Sequence, residues 1–290
     1  MKPAPFVHHS PRTLDEAVAM LGDVGHDGKV LAGGQSLIPV LNMRLAQPAH
    51  LVDINRVAGL DTVTVSDDVV RVGATVRHAS LEKNTEAYAV LPLLRQALRN
   101  VAHPAIRNRG TTVGSIAHAD AAGEMPSIAV LTGAVIEVVG PAGRREVAAA
   151  DFFEGPLMTV LEADELVEAV RFGRFAEGTR TAFLESARRH GDYALAGVGV
   201  AVDVEGQGGD AVVRGARAAY VSVTDVPVVV DLTEAVAGQP FSSAWDGVED
   251  LVQAGIAPEA DIHASSEYRR ALAAELTRRA LTTALSEVAS

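Results

Sequence analysis

The sequence predicts an α+β protein with two domains, and three observations support this fold class. Residues 29–54 alternate as strand, glycine turn, helix and strand, which is the arrangement of a small α/β unit. Residues 63–74 alternate apolar and polar side chains, as an antiparallel hairpin does. Beyond a polar, glycine-containing stretch at 173–181, three strands are followed by helices. This stretch predicts the boundary between a domain at 1–175 and a second domain at 176–290.

Periodicity and turn residues locate the individual elements. The first helix has a capping box, because Thr13 precedes it and Glu16 follows three residues later. Helices are expected at residues 13–21, 37–45, 91–102 and 268–288. Strands are expected at residues 29–32, 50–54, 62–66, 69–74, 134–140, 145–149, 165–172, 181–188, 194–204 and 212–223. A polar, glycine-rich turn at 205–210 connects the last two strands.

The composition excludes several functions. The net charge of −12 over 290 residues argues against a nucleic-acid partner, whose binding needs a basic surface. The chain has no cysteine and so cannot itself hold an iron–sulfur cluster, a thiolate zinc site or a disulfide. The N-terminus lacks the apolar core of a signal peptide, and no apolar run approaches the ~18 residues of a membrane span. A cytoplasmic protein without a membrane span is therefore expected.

A first glycine turn lies between an expected strand and an expected helix. Glycine lets the backbone approach an anion closely, and the amides of such a turn can point at phosphate oxygens. The residues of this turn are Ala32, Gly33, Gly34, Gln35, Ser36 and Leu37. The turn is neither a Walker loop nor a dinucleotide GxGxxG. Its alternative interpretation is a tight turn that needs glycine for geometry alone.

A second glycine-bearing turn follows about eighty residues later. It contains Gly110, Thr111, Thr112, Val113, Gly114 and Ser115. Asp120 and Glu124 come after it and are suited to accept hydrogen bonds from ribityl or ribose hydroxyls. The alternative is a polar loop whose carboxylates cap a helix that starts near Pro126. A diphosphate held from both sides would explain why the chain has two such turns.

A third candidate is Tyr193, which follows Arg188 and Arg189 on a glycine-containing turn. Its ring could stack on a flat cofactor while the arginines favour a reduced, anionic flavin. The alternative is an exposed hairpin turn. The nine histidines show no metal-ligand spacing, so no metal site is expected and each is assigned a surface or capping role. No catalytic residue is assigned, because the chain lacks a nucleophile elbow and any thiol.

Three segments resemble the FAD-binding medium subunits of molybdenum hydroxylases. They are AGGQSL at 32–37, RNRGTTVGSIAHADAAGEMP at 107–126 and RRHGDYALAGVGVAV at 188–202. That family includes carbon monoxide, nicotine, quinoline and caffeine dehydrogenases, and xanthine dehydrogenase carries the equivalent domain within a longer chain. The resemblance covers essentially the whole sequence, with the three motifs in the family's order and spacing.

The resemblance implies a fold and a set of cofactor-binding residues. It implies a vanillyl-alcohol-oxidase (PCMH)-type FAD-binding domain of two α/β subdomains, about 1–56 and 57–175. The C-terminal domain would be of the carbon monoxide dehydrogenase flavoprotein type, with a three-stranded antiparallel sheet and helices. Both glycine turns would hold the pyrophosphate of a non-covalent FAD. The remaining contacts would come from Val101 and Ala102 at the adenine end, Asp120 and Glu124 along the ribityl chain, the Leu166 backbone at the flavin, and Tyr193 against the isoalloxazine ring.

The resemblance also implies a function shared with partner chains. A large subunit would carry the molybdenum cofactor, and a small subunit with [2Fe–2S] clusters would pass electrons to this FAD and on to an external acceptor. The oxidoreductase would assemble as a dimer of heterotrimers. Two alternatives are a free-standing flavin-dependent oxidoreductase and a scaffold subunit that has lost FAD. Val113 stands where the family usually has glycine, which places a Cβ in a backbone-only part of the second turn and keeps the scaffold alternative open.

Overall fold

The computed structural model describes residues 2–206, 212–240 and 244–286. The helices are α1 (Leu14–Val24), α2 (Leu37–Asn42), α3 (His78–Glu82), α4 (Thr85–Val90), α5 (Pro92–Leu98), α6 (Pro104–Arg107), α7 (Thr112–His118), α8 (Glu124–Leu131), α9 (Thr233–Val236), α10 (Val248–Gly255) and α11 (Ser266–Ser286). The strands are β1 (Val7–His9), β2 (Gly28–Leu31), β3 (His50–Asp53), β4 (Val63–Val65), β5 (Val69–Gly73), β6 (Val135–Gly140), β7 (Gly143–Ala148), β8 (Phe153–Gly155), β9 (Met158–Thr159), β10 (Leu166–Gly173), β11 (Arg180–Ala187), β12 (Ala194–Glu205), β13 (Val212–Val221) and β14 (Val229–Asp231). Most of the turn expected at 205–210, and the end of the last expected helix, lie outside the described residues.

The N-terminal part of the chain forms a three-stranded parallel sheet in the order β1-β3-β2. Helix α1 packs on it through Ala17 and Leu21, which are fully buried. The predicted capping box is confirmed, since Thr13 and Glu16 bond each other's backbone N–H groups. Strand β1 was not expected, because three residues are too few to show periodicity.

A five-stranded antiparallel sheet follows, in the order β4-β5-β10-β6-β7. The expected hairpins at 62–74 and 134–149 are confirmed as β4–β5 and β6–β7. Alternate side chains, such as Val70 and Val72, enter the main core with helices α5, α7 and α8. Arg71 faces away from that core and pairs with Glu137, with 2.7 Å between Nη2 and Oε2. The sheet is thus covered on one face and carries ion pairs on the other.

The C-terminal sheet has four antiparallel strands, in the order β11-β12-β13-β14, so the expectation of three strands is wrong. The fourth strand spans only three residues and shows no readable alternation. One face of this sheet packs on α10 and α11, and the other packs on α5 and α8. The hydroxyl of Ser127 on α8 donates to the Tyr220 carbonyl on β13 and connects α8 to the C-terminal sheet.

Two predicted helices are shorter than expected. The helix predicted at 37–45 ends at Asn42, and Arg44 has a positive φ of 59°. The helix predicted at 91–102 ends at Leu98, and Ala102 has a φ of 42°. A left-handed backbone cannot continue an α-helix, so the chain turns at both places. Among the described helices, none is long and apolar enough to cross a membrane.

Candidate functional site

The structure brings the two glycine turns into direct contact. Gly33 lies against the backbone of the second turn, and a Cβ added there would be 2.6 Å from the Arg109 carbonyl oxygen and 2.7 Å from the Gly110 Cα. No residue except glycine fits such an approach without movement of one turn. The two turns therefore form one continuous surface, although about eighty residues separate them in the chain.

The first turn connects β2 to α2. Gly34 has a φ of +73°, which favours glycine, and its carbonyl accepts a 3.0 Å hydrogen bond from the Ile38 amide. The Gln35 side chain donates from Nε2 to the Gly33 carbonyl at 3.1 Å, which stiffens the turn. Ser36 is the N-cap residue of α2, yet its hydroxyl does not cap the helix. All residues from Ala32 to Leu37 are half-buried, and none of them carries a charge.

The second turn leads into α7. Thr111 is the N-cap residue, and its Oγ1 accepts a 3.1 Å hydrogen bond from the Gly114 amide. Thr111 and Thr112 are buried, whereas Gly114 and Ser115 are partly exposed. Val113 is 2% exposed and its side chain belongs to the main core. The expectation that its Cβ enters the backbone-only part of the turn is therefore wrong, because the helix directs it inward.

Two side chains that the sequence analysis did not select connect the two turns through hydrogen bonds. Asn55 donates from Nδ2 to the Ala32 carbonyl at 2.7 Å. Arg77 donates from Nη1 to the Arg109 carbonyl at 2.6 Å and from Nη2 to Asn55 Oδ1 at 2.6 Å. No local pattern marks either residue, since each bonds segments more than 20 positions away.

His78 also supports the second turn, and its predicted surface or capping role is wrong. The residue is 4% exposed, its amide donates to the Gly110 carbonyl at 3.0 Å, and its Nδ1 lies 3.2 Å from Thr112 Oγ1. Burial, with a smaller effect of the Arg107 charge, lowers the pKa of His78 to about 4. The ring is therefore neutral at pH 7 and serves as a hydrogen-bonding support.

Val101 and Ala102 lie in the loop between α5 and α6, just before the second turn. The buried Arg107 holds both of their carbonyls from Nη1, at 3.0 and 3.1 Å. Its Nε also pairs with Glu82 at 3.0 Å, which compensates the buried charge. The loop expected at the adenine end is thus fixed in position by an arginine that the sequence analysis did not identify as a site residue.

A group of carboxylates lies where the two domains meet. Asp120 accepts from the Ala122 amide at 2.9 Å in the turn that precedes α8. The alternative that Asp120 and Glu124 cap a helix near Pro126 holds only in part: α8 begins at Glu124, whose carboxylate bonds its own backbone N–H, whereas the N-cap residue is Gly123. Burial and the nearby Asp120 charge raise the pKa of Glu124 to about 7, although the Arg107 charge opposes this.

Glu185 on β11 extends this group from the C-terminal domain. Burial, with the negative charge of Glu124, raises the pKa of Glu185 to about 8. Its Oε2 is buried and has no hydrogen-bond partner among the described residues. Strand alternation does not distinguish such a glutamate from a surface residue, so no sequence pattern indicates its role.

Tyr193 lies at the end of the turn between β11 and β12, so the hairpin interpretation of this segment is correct. The side chain is 68% exposed. Desolvation of its hydroxyl and the Asp120 charge raise the pKa of Tyr193 to about 12, so the phenol is protonated at neutral pH. In the same turn the His190 ring meets His103 edge-on, with 6.2 Å between ring centroids. The turn therefore lies beside Asp120 and the loop that precedes the second glycine turn.

Leu166 is the first residue of β10 and pairs with Val139 on β6. The whole residue is 2% exposed, so its backbone is covered as well as its side chain. Helix α7, which follows the second glycine turn, packs on β10. No hydrogen bond of the described structure joins Leu166 to the other candidate residues.

Comparison with known proteins identifies the class of protein that has this fold and site. Residues 4–174 match the family described as the FAD binding domain in molybdopterin dehydrogenase, and residues 181–284 match the CO dehydrogenase flavoprotein C-terminal domain. The carbon monoxide dehydrogenase medium chain of Hydrogenophaga pseudoflava is 36% identical over 100% of both chains. The nicotine 6-hydroxylase medium subunit of Paenarthrobacter nicotinovorans is 38% identical, over 97% of this chain and 98% of its own.

Solved structures agree with these sequence relationships. Quinoline 2-oxidoreductase from Pseudomonas putida 86 contains a chain that superposes with a TM-score of 0.92 at 34% identity, over 100% of both chains. Fold and site together define a flavoprotein component of an oxidoreductase. The chain belongs to the FAD-binding medium subunits of the molybdenum hydroxylases, and the resemblance seen in the three sequence segments is confirmed.

Proposed function

We propose that this medium subunit holds non-covalent FAD on the surface formed by its two glycine turns and relays electrons from a [2Fe–2S] subunit to an external acceptor. The contact between Gly33 and the backbone of residues 109–111 carries the proposal, since it joins two anion-suited turns into one surface. When bound, FAD supplies a centre that takes up electrons singly and releases them in pairs. The protein's part is to bind, orient and shield this group.

The residues of the site fit a pyrophosphate. Neither turn contains a carboxylate, although the chain as a whole has a net charge of −12. Arg109 immediately precedes the second turn, so its side chain would supply a positive charge next to the proposed anion. The positive charge and the neutral amides would together stabilise the diphosphate.

The isoalloxazine ring would lie where the domains meet. Tyr193 exposes its ring there, and a protonated phenol offers an uncharged, flat surface for stacking. Asp120 and Glu124 follow the second turn and would accept hydrogen bonds from the ribityl chain. Glu124 has a pKa of about 7, so it can hold a proton near the ring at neutral pH.

The assembly and the division of the chain belong to the same proposal. Relatives are named as the medium chain of carbon monoxide dehydrogenase and as a subunit of the 6-hydroxypseudooxynicotine dehydrogenase complex. By analogy, a large molybdenum-cofactor subunit and a small [2Fe–2S] subunit would join this chain in a cytoplasmic dimer of heterotrimers. The FAD-binding domain would span 1–175, with subdomains at about 1–56 and 57–175, and the C-terminal domain 176–290. Substrate choice would lie with the large subunit.

An absorption spectrum of the purified chain with its co-eluting partners tests the proposal. We expect flavin bands near ~450 nm that move to the supernatant after acid precipitation, with molybdenum and iron in the complex. A colourless chain would refute FAD binding and favour the scaffold alternative. A yellow chain that oxidises its own substrate without partners would refute the relay function.

A further inference from the structure

Asn55 and Arg77 connect the two turns through an unbroken series of hydrogen bonds. The series runs from the Ala32 carbonyl to Asn55 Nδ2 at 2.7 Å, from Asn55 Oδ1 to Arg77 Nη2 at 2.6 Å, and from Arg77 Nη1 to the Arg109 carbonyl at 2.6 Å. Ala32 and Arg109 each immediately precede a glycine of a turn. The Asn55–Arg77 bridge, defined by these three hydrogen bonds, therefore connects both turns.

The orientation of the Asn55 amide is fixed by its other contacts. Asp53 Oδ1 accepts from the backbone N–H of Asn55 at 3.0 Å and from its side-chain Nδ2 at 2.6 Å. Because Nδ2 is held on this side, Oδ1 of Asn55 must face Arg77. Asp53 is held in turn by His8, with 3.1 Å between Nε2 and Oδ2. Although burial opposes the shift, hydrogen bonds from Asn55 and His8 lower the pKa of Asp53, which keeps it an acceptor at neutral pH.

Holding these carbonyls determines where the turn amides point. A peptide unit is planar and trans, so fixing the Ala32 carbonyl fixes the N–H of Gly33 in the opposite direction. On the second turn, Arg77 holds the Arg109 carbonyl, whose peptide partner, the Gly110 N–H, donates to the Ile106 carbonyl at 2.7 Å, and the His78 amide holds the Gly110 carbonyl at 3.0 Å. The second contact fixes the N–H of Thr111 in the same way. Because both turns are built partly of glycine, they would otherwise have wide backbone freedom.

We propose that the Asn55–Arg77 bridge is a positioning unit that sets the separation of the two turns and the orientation of the Gly33 amide, and thereby the affinity for the FAD pyrophosphate. The inference rests on the proposed flavin site. Neither side chain needs to touch the cofactor, because its effect passes through the Ala32 and Arg109 carbonyls. Preorganised turns bind an anion without the entropy cost of ordering the backbone at the moment of binding.

FAD titration of the full-length, flavin-free chain tests this proposal. Asn55→Ala and Arg77→Met are each expected to raise the Kd by about tenfold or more. Arg77→Lys is expected to raise it by less, because its ammonium can still bond one of the two acceptors although it cannot reach both. Because the two side chains act through one series of bonds, the double variant should bind no more weakly than the worse single variant. Arg174→Met is the matched control, because Arg174 donates to the Asp67 carbonyl at 3.1 Å in the β4–β5 turn, which contains none of the candidate cofactor-binding residues, and its loss should leave the Kd within twofold.

Hydrogen–deuterium exchange of the flavin-free chain separates positioning from general destabilisation. In Asn55→Ala and Arg77→Met, exchange is expected to rise at residues 32–37 and 109–115 while β5, β6 and β10 keep their protection. Wild-type FAD affinity in both variants, or fully additive losses in the double variant, would overturn the inference. A wild-type chain that binds no FAD would instead overturn the proposed function, so the two failures are distinguishable.

Discussion

Substitution of Gly33 by alanine perturbs the contact on which the flavin site depends. The new Cβ would lie 2.6 Å from the Arg109 oxygen, 2.7 Å from the Gly110 Cα and 2.9 Å from the Thr111 nitrogen. All three are backbone atoms, so no side-chain rotation relieves the overlap. An ordinary contact of this kind is about 3.4 Å or longer, and the turns must therefore separate by about 0.5–0.8 Å.

The expected cost follows from the size of this displacement. Forcing an extra methyl group into a packed site typically costs about 1–3 kcal/mol. If the bound cofactor requires the original spacing of the turns, the same 1–3 kcal/mol appears as a roughly 5- to 150-fold increase in the Kd for FAD. The assay is a fluorescence titration of the flavin-free chain, together with thermal unfolding with and without FAD.

Gly22→Ala is the control for Gly33→Ala. Gly22 lies within α1, and a Cβ there would be 3.5 Å from Pro141 Cγ, which is an ordinary contact. Alanine favours a helix over glycine by about 1 kcal/mol, so this variant should be as stable as the wild type or more so, with unchanged Kd. A Gly33→Ala chain with wild-type Kd would refute the reasoning that the spacing of the turns determines FAD binding.

Three further predictions concern titratable and aromatic groups. The folded-state pKa of Glu185 is raised to about 8, so stability is lost as pH rises from about 4.5 through 8. The Tm of Glu185→Gln should therefore match that of the wild type at pH 5 and exceed it at pH 8.5. If the two curves of Tm against pH stay parallel, the raised pKa of a buried Glu185 is refuted. The folded-state pKa of His78 is lowered to about 4, so stability is lost as pH falls from 6.5 through 4. In urea unfolding, the free energy of unfolding of His78→Gln should fall less between pH 7 and pH 4.5 than that of the wild type. An equal fall in both proteins would contradict the buried neutral ring. Tyr193→Ala should raise the Kd for FAD about three- to tenfold and Tyr193→Phe by less, measured by titration, whereas equal effects would show that the hydroxyl matters and the ring does not.

The sequence alone predicted the elements whose signals are local. The capping box of Thr13 and Glu16, the β4–β5 hairpin and both glycine turns depend on residues a few positions apart, and each is present in the structure. Short elements without a full period, such as β1 and β14, were missed for the same reason. The family was also recognisable from three contiguous motifs, because the residues next to a cofactor are concentrated in loops.

What only the tertiary structure decided is how these loops are held and which side chains become buried between them. The direction of the Val113 side chain, the Asn55–Arg77 bridge and the neutral state of His78 all depend on partners 20 or more residues away. The same holds for Glu185, whose burial comes from packing of the C-terminal domain. The composition and spacing of a motif establish which groups are available to a ligand. Their orientation and protonation depend on burial and on long-range hydrogen bonds, and these exist only once the chain has folded.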